Sequence, residues 1–166
     1  MVSRQVTIHF SEQIYNSLNQ KPSAKTLAIF IDLKKAFDTV DHTILLEKMK
    51  CYGFRNNSNL WFQNYLSERE QYVSINGVDS DRVKIVCGVP QGSVLGPLLF
   101  LIFINDLPQA TNFLTLLFAD DTTFQMSGFD TESLFRNANF ELEKASEWFK
   151  ANKLTLNVKK NYIYVI

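Results

Sequence analysis

The sequence predicts an α+β fold in which the strands gather into one sheet and helices pack against it. Three observations carry this. Thr26 to Ile31 (TLAIFI) is a short, continuously apolar run that stops at Asp32, as a buried central strand reads. Phe113–Phe118 and Thr122–Met126 are two more apolar runs, separated only by Ala119-Asp120-Asp121, which reads as a hairpin with acids at its tip. Thr131 to Ala151 instead repeats its apolar residues with helical period: Leu134, Phe135, Ala138, Leu142, Ala145, Trp148 and Phe149.

The remaining elements follow in chain order. Ser11 to Leu18 has a weak helical pattern. Asp41 reads as the N-cap of a helix running through Lys50 and stopping near Gly53. A second helix is expected over Asn59 to Leu66. Gln71–Ile75 and Arg82–Val86 are strand-like and flank Asn76-Gly77, a hairpin signal with a loop longer than the minimum. Val94 to Ile104 (VLGPLLFLIFI) is apolar all round, bracketed by Pro90-Gln91-Gly92 and Asp106. Its eleven residues fall short of the roughly 20 needed to span a bilayer, so it reads as a buried core helix. Tyr162–Ile166 closes the chain as a strand. The resulting order, β-α-α-β-β-α-β-β-α-β, does not alternate as a doubly wound sheet would.

Bulk properties narrow the class. A chain of 166 residues fits one domain and buries a core without staples. A hydrophobic content of 46%, with fourteen Phe, excludes a disordered tail. Cys51 and Cys87 could form one bridge at most, no zinc-like spacing occurs, and nothing demands an oxidising compartment. Met1-Val2-Ser3-Arg4-Gln5 begins neither a secretory nor an organellar leader, so an intracellular protein of nucleus or cytoplasm is expected, not a secreted one. Seventeen basic residues balance seventeen acidic ones. Proteins that grip nucleic acid unaided carry a basic excess, so neutrality argues against a self-sufficient clamp.

Three acids stand out by their surroundings. Asp32 ends an apolar strand, and Asp120 and Asp121 sit between two others. Apolar flanks drive such carboxylates to a sheet edge or a cleft, where their charge must be answered. Two like charges 4 Å apart repel by roughly 4 kcal/mol at an effective dielectric near 20, so a converging cluster needs a raised pKa, a basic partner or a cation. Carboxylate oxygens in an incompletely filled shell suit Mg²⁺. A pair of such ions roughly 3.5–4 Å apart serves in-line phosphoryl transfer. Each feature also has a plainer reading. Asp-Asp in a hairpin is more often a solvated turn. Asp32 before Leu33-Lys34-Lys35 is as readily a cap or a surface ion pair. Pro90-Gln91-Gly92-Ser93 alone is a turn before a helix.

In combination, these segments resemble a known set. Phe30-Ile31-Asp32-Leu33-Lys34-Lys35-Ala36-Phe37-Asp38-Thr39-Val40-Asp41-His42 resembles the first palm motif of non-LTR (LINE-type) retrotransposon reverse transcriptases. Gly88-Val89-Pro90-Gln91-Gly92-Ser93-Val94-Leu95-Gly96-Pro97 resembles their second. Phe118-Ala119-Asp120-Asp121 resembles the aromatic-x-Asp-Asp box, and Leu156-Asn157-Val158-Lys159-Lys160 the lysine-bearing motif beyond it. The four occur in the family's order across about residues 25–166.

The resemblance implies a polymerase palm-like antiparallel sheet packed against helices. It implies an RNA-directed DNA polymerase core that adds deoxynucleotides to a primer 3′-hydroxyl on an RNA template, dependent on two Mg²⁺ ions, with Mn²⁺ able to substitute. Carried over by position, Asp32 and Asp120 would be the principal metal ligands, Asp121 the conditional one, and the Ile31 and Leu33 carbonyls could complete the shell. Phe37 would stack under the incoming sugar and obstruct a ribose 2′-hydroxyl, with core packing as its plainer role. Gln91 and Gly92 would approach the incoming nucleotide and the template, Gly92 because a side chain there would intrude. Lys160 would protonate the departing pyrophosphate or simply be a solvated lysine, and Asn161 follows it where the family usually shows Thr. Asp38, Asp41 and His42 are assigned to structure, as is the aromatic stripe on Thr131–Ala151.

By the same resemblance, residues 1–24 would be a truncated fingers stub or lead-in and residues 25–166 the palm with part of the fingers. Thumb and endonuclease regions would belong to a longer polyprotein, and no membrane partner is implied. Two other classes remain to be weighed. One is an inert palm remnant acting, if at all, as an interaction module. The other is a response-regulator-like phosphoacceptor, disfavoured because there the Asp pair precedes the lone Asp.

Overall fold

The computed structural model describes residues 24–165 and, ahead of them, 8, 11, 12, 14–17 and 19. In chain order the strands are β1 (Lys25–Ile31), β2 (Glu70–Gln71), β3 (Ser74–Ile75), β4 (Val78–Asp79), β5 (Val83–Lys84), β6 (Leu114–Phe118), β7 (Asp121–Gly128) and β8 (Tyr162–Val165). The helices are α1 (His42–Cys51), α2 (Asn57–Leu66), α3 (Leu95–Ile104), α4 (Leu107–Ala110) and α5 (Thr131–Ala151), with 3₁₀ turns at Ala36–Asp38 and Val158–Lys160. Of the helix expected over Ser11 to Leu18, positions 11, 12 and 14–17 are helical, while 13 and 18 lie outside the described residues, as does Ile166. The chain divides into two compact units, Met1–Lys34 with Asn105–Ile166, and Lys35–Ile104.

The first unit is a four-stranded antiparallel sheet, ordered β6-β7-β1-β8. β1 is central: Leu27, Ala28 and Ile29 are each at most 2% exposed, so both of its faces are covered, which is why its sequence is an unbroken apolar run. It pairs with β7 from Lys25↔Gly128 to Ile31↔Thr122, and on its other side with β8 from Leu27↔Val165 to Phe30↔Tyr162. β8 is an edge strand, exposed at all four positions. α5 begins at Asp130, whose carboxylate accepts from the Ser133 amide, and it buries Leu134, Ala138, Glu141, Ala145 and Phe149 at helical spacing. The aromatic stripe is core only in part. Phe149 is buried and Trp148 packs edge-on against it, but Phe135 and Phe140 are exposed because they lie off the buried face.

The second unit is mainly helical. Asp41 caps α1 as expected, its Oδ1 accepting from the Ile44 amide at 3.0 Å, and α1 buries Leu45 and Met49. α3 buries Leu99, Phe100, Phe103 and Ile104, while Leu98 and Leu101 stay exposed, so its uniform hydrophobicity is buried on one side only. Lys48 Nζ donates to the Phe103 carbonyl near the C-terminal end of α3, 2.7 Å away, an orientation that suits the helix dipole.

Residues 70–84 correct the expectation of one sheet. They form two separate two-stranded ladders, β2–β5 and β3–β4. The turn is minimal, because Ile75 pairs with Val78 and only Asn76 and Gly77 lie between them, with φ of 52° and 81°. Positive φ at both central residues is the I′ geometry that Asn-Gly favours. Farther out Val73 and Ser80 share hydrogen bonds, yet Gln71 pairs with Val83, so Tyr72 faces both Asp81 and Arg82. This β-bulge splits what would have been one hairpin ladder.

Cys51 and Cys87 are free and exposed. Among the described residues no helix is long and apolar enough to cross a membrane.

Candidate active site

The strand registers decide which acids meet. Ile31 pairs with Thr122, so Asp32, one residue on, comes level with Asp121, one residue back. On the other side of β1, Phe30 pairs with Tyr162, and the chain just before Tyr162 carries Lys160 to the same end of the sheet. Asp32, Asp121 and Lys160 accordingly line one open pocket with Phe30, Ile31, Tyr162 and Tyr164. Side-chain alternation sets Phe30 beside Asp32 and Tyr162 beside Tyr164, since residues two apart on a strand share a face, and Ile31 borders the same open pocket between the first two. Asp121 is itself the first residue of β7, paired with Phe118, so the turn is the two residues Ala119 and Asp120. Ala119 takes a positive φ of 50° there, as primed hairpin turns require of a first central residue.

The acids feel one another. The Asp121 carboxyl is pushed above its ordinary value by burial first, then by the charges of Asp120 and Asp32. Among the described residues, however, no group of three or more His, Cys, Asp or Glu stands close enough to hold a metal ion. The donor set is all carboxylate, which suits a hard divalent cation, and the mutual repulsion is the kind a cation relieves. In chemistry these residues fit Mg²⁺.

Two residues that sequence reasoning left without a role hold Asp32. Asn157 Nδ2 donates to Asp32 Oδ2 at 2.7 Å, and the Asn157 amide donates to the Asp32 carbonyl at 2.8 Å. Asn161 Oδ1 accepts from the Asp32 amide at 3.0 Å, so the residue standing where Thr is usual supplies an acceptor that fixes the strand end. Leu33 faces Leu156 in a bridge whose hydrogen bonds use the Asp32 carbonyl and the Lys34 amide, so the Leu33 carbonyl is not consumed by it. Asn157 belongs to the lysine-bearing segment itself, but nothing in its spacing points to Asp32.

Phe37, Gln91 and Gly92 belong to the second unit. The half-buried Phe37 ring packs on Phe100 with centroids 4.9 Å apart. Gln91 is exposed and its Nε2 donates to Asp38 Oδ1 at 2.6 Å. A Cβ at Gly92 would meet nothing of the chain within 4 Å, and the φ of 78° there is the left-handed region that favours glycine. Close approaches within the chain are at Gly88, where φ is 90° and a Cβ would lie 2.8 Å from the Asp38 carbonyl oxygen, and at Gly96, where a Cβ would run into the Pro90 carbonyl oxygen. Amides of Gly88 and Val89 donate to the carbonyls of Val40 and Phe37, and His42 Nε2 lies 2.7 Å from the Gly88 carbonyl, so His42 is a structural hydrogen-bonding residue.

The model of the family described as reverse transcriptase (RNA-dependent DNA polymerase) matches residues 3–165. The chain belongs to the reverse transcriptase family. Its curated relatives come from non-LTR mobile elements. It is 32% identical over 139 residues to the RNA-directed DNA polymerase from mobile element jockey of Drosophila melanogaster, covering 79% of this chain and 15% of the relative. It is likewise 32% identical over 147 residues to the probable RNA-directed DNA polymerase from transposon BS of the same fly, covering 80% of this chain and 16% of that one. This reverse transcriptase segment thus spans about a sixth of those relatives' length. Among solved structures it is similar to telomerase from Candida tropicalis, determined with the TWJ fragment of telomeric RNA, with a TM-score of 0.68, 16% identity, and coverage of 98% of this chain and 29% of that one. Telomerase from Candida albicans gives a TM-score of 0.70 at 13% identity, covering 98% and 31%. At such identity the likeness is one of fold, and it bears out the palm-like α+β sheet.

Proposed function

We propose that this reverse transcriptase segment is the catalytic core of an RNA-directed DNA polymerase, extending a primer 3′-hydroxyl with deoxynucleotides on an RNA template. The observation that supports it most directly is the meeting of Asp32, Asp121 and Lys160 at one pocket, with Asp120 in the adjoining turn. Asp32 and Asp120 would be the principal holders of Mg²⁺, with Asp121 the third. Bound there, the ion, or a pair of them, supplies charge neutralisation for a triphosphate and a leaving pyrophosphate.

The chain's own groups have the remaining tasks. Asn157 and Asn161 hold Asp32 in one orientation, which positions its free oxygen. Lys160 sits on a 3₁₀ turn fixed by its own amide donating to the Asn157 carbonyl, and its ammonium is the proton donor for pyrophosphate. In the second unit, Phe37 is assigned the sugar, and Gln91 and Gly92 the incoming nucleotide and template.

The test is primer extension by the purified chain on a primed RNA template with Mg²⁺ and deoxynucleotides, beside an Asp120→Asn control. Extension that disappears in the control is the expected result. Extension that survives Asp120→Asn would overturn the metal assignment. No extension from a folded chain would mean that this core needs further regions of a longer polyprotein.

A further inference from the structure

The hairpin of residues 70–84 is set up for a reaction that the chain performs on itself. Its turn is Asn76-Gly77, the one place in the sequence where glycine follows asparagine. Both residues are exposed, and a Cβ added at Gly77 would meet nothing within 4 Å. Among the described residues no hydrogen bond uses the Asn76 side chain, so its amide group is free to swing.

These features favour loss of the side-chain amide. The Gly77 backbone nitrogen attacks the Asn76 side-chain carbonyl carbon; a C–N bond forms there and the bond to the side-chain nitrogen breaks. The backbone nitrogen gives up its proton, ammonia departs, and a cyclic imide remains. Water then opens either imide C–N bond, giving aspartate or, with the main chain rerouted through the side-chain carbon, isoaspartate. No electrons are transferred, and water is the sole co-reactant. Glycine matters because no Cβ shields the attacking nitrogen and its φ is unrestricted. The folded turn resists ring closure, since I′ geometry, with φ of 52° and 81°, turns the Gly77 nitrogen away from the Asn76 side chain. The reaction therefore waits for the hairpin to open. Little holds it shut: every paired residue is exposed, and the bulge at Tyr72 splits its ladder.

We propose that Asn76 is a spontaneous deamidation site reached through local opening of the hairpin, and that its isoaspartyl product keeps the hairpin open. The inference goes beyond the polymerase reading and does not rest on it. Aspartate suits the I′ turn as asparagine does, so that product changes charge alone. Isoaspartate adds a backbone atom to the two-residue loop and takes Ile75 out of register with Val78. The new carboxylate joins Glu70, Asp79 and Asp81 in a segment whose cations are Arg82 and Lys84. The rerouted linkage is also the chemistry that an isoaspartyl carboxyl methyltransferase recognises.

The measurement is ageing of the whole folded chain at neutral pH and physiological temperature. Peptide mass spectrometry follows the exchange of ammonia for water, and labelled methyl transfer from S-adenosylmethionine by an isoaspartyl methyltransferase follows the rerouted product. A synthetic peptide of residues 70–84, an isolated hairpin with no core to pack on, supplies the unprotected rate. Asn76 in the whole chain is expected to react within about tenfold of that peptide, the protection given by a segment that opens at little cost. Slower reaction than that would overturn the route through the open hairpin. Asn76→Ser should abolish methyl acceptance, and acceptance that survives it would place the site elsewhere. Freshly prepared Asn76→Asp should keep the parent's amide exchange in residues 70–84. The aged, methyl-accepting chain should exchange there at least about tenfold faster, with the global unfolding midpoint nearly unmoved. An aged chain that exchanged like Asn76→Asp would show that the isoaspartyl linkage does not hold the hairpin open.

Discussion

The end of the four-stranded sheet and the hairpin of residues 70–84 are both antiparallel pairings, but burial supports them very differently. At the sheet end, Ile31 is 7% exposed and Thr122 1%, and Phe124 behind them is fully buried. In the hairpin every paired residue is exposed, and apolar Ile75, Val78 and Val83 are each more than half exposed. The first pairing is over-determined by side chains beneath it; the second depends on its turn, its bulge and a few cross-strand contacts. Groups that must be placed to a fraction of an ångström gain from the first kind of support, which is where Asp32 and Asp121 stand.

The largest expected effect tests the first half of that contrast. Asp32→Asn keeps the shape and the hydrogen-bonding reach of the side chain, so the fold should survive while primer extension falls at least about 10³-fold, equivalent to about 4 kcal/mol of transition-state stabilisation. Circular dichroism and extension rate measured on the same preparation decide it; a variant that still extends within tenfold of the parent would remove Asp32 from the chemistry.

Next comes packing itself. Phe124→Ala empties a site beneath β7 where the ring stacks on Phe113 at 5.0 Å, and should cost about 3–5 kcal/mol in denaturant unfolding. Val83→Ala, in the hairpin and 58% exposed, should stay within about 0.5 kcal/mol. Comparable losses at the two positions would mean that the hairpin is buried in the protein in solution and that the contrast is false.

A smaller and pH-dependent term belongs to Glu141, which is buried on α5 and accepts from the Asn112 amide at 2.7 Å, from Asn112 Nδ2 and from Lys144 Nζ at 2.8 Å. Its carboxyl is held below the ordinary 4.5 by the Lys144 and Asn112 hydrogen bonds, which outweigh burial. A depressed folded pKa means stability that is present above the unfolded value and lost as pH falls through the folded one. Glu141→Gln should therefore cost about 1–3 kcal/mol at neutral pH, and the gap between variant and parent should narrow as pH falls below the ordinary 4.5 and through the folded value. A gap that stayed constant across that range would show that shape, not charge, makes the contact.

How much of this could be read from the sequence divides along the same line. β1, β6 and β7, the Asp41 cap and the α5 span were legible because burial writes itself into apolar runs and helical periods. The palm motifs singled out Asp32, Asp120 and Asp121 together, and the strand register explains why Asp32 and Asp121 share an edge. The one-sheet expectation failed where residues 70–84 carry little buried surface, so no period marks the bulge that splits the ladder. Asn157 and Asn161 were missed because a polar side chain reaching across more than a hundred residues to Asp32 leaves no local pattern. The one-turn helix α4 was too short to have a period at all.

The finest test of the contrast is the turn of the hairpin. Gly77 holds φ of 81° with open space around it, so an added Cβ would meet no neighbour and any cost must come from the backbone alone. Gly77→Ala should cost about 1–2 kcal/mol, the penalty of a left-handed conformation for an L-residue. Because the hairpin is supported by so little burial, that cost should appear as faster amide exchange in residues 70–84, with the global unfolding midpoint nearly unmoved. A midpoint that dropped by the full amount would make hairpin and core one cooperative unit, and the exposed ladders would then be as essential to the fold as the sheet that carries the acids.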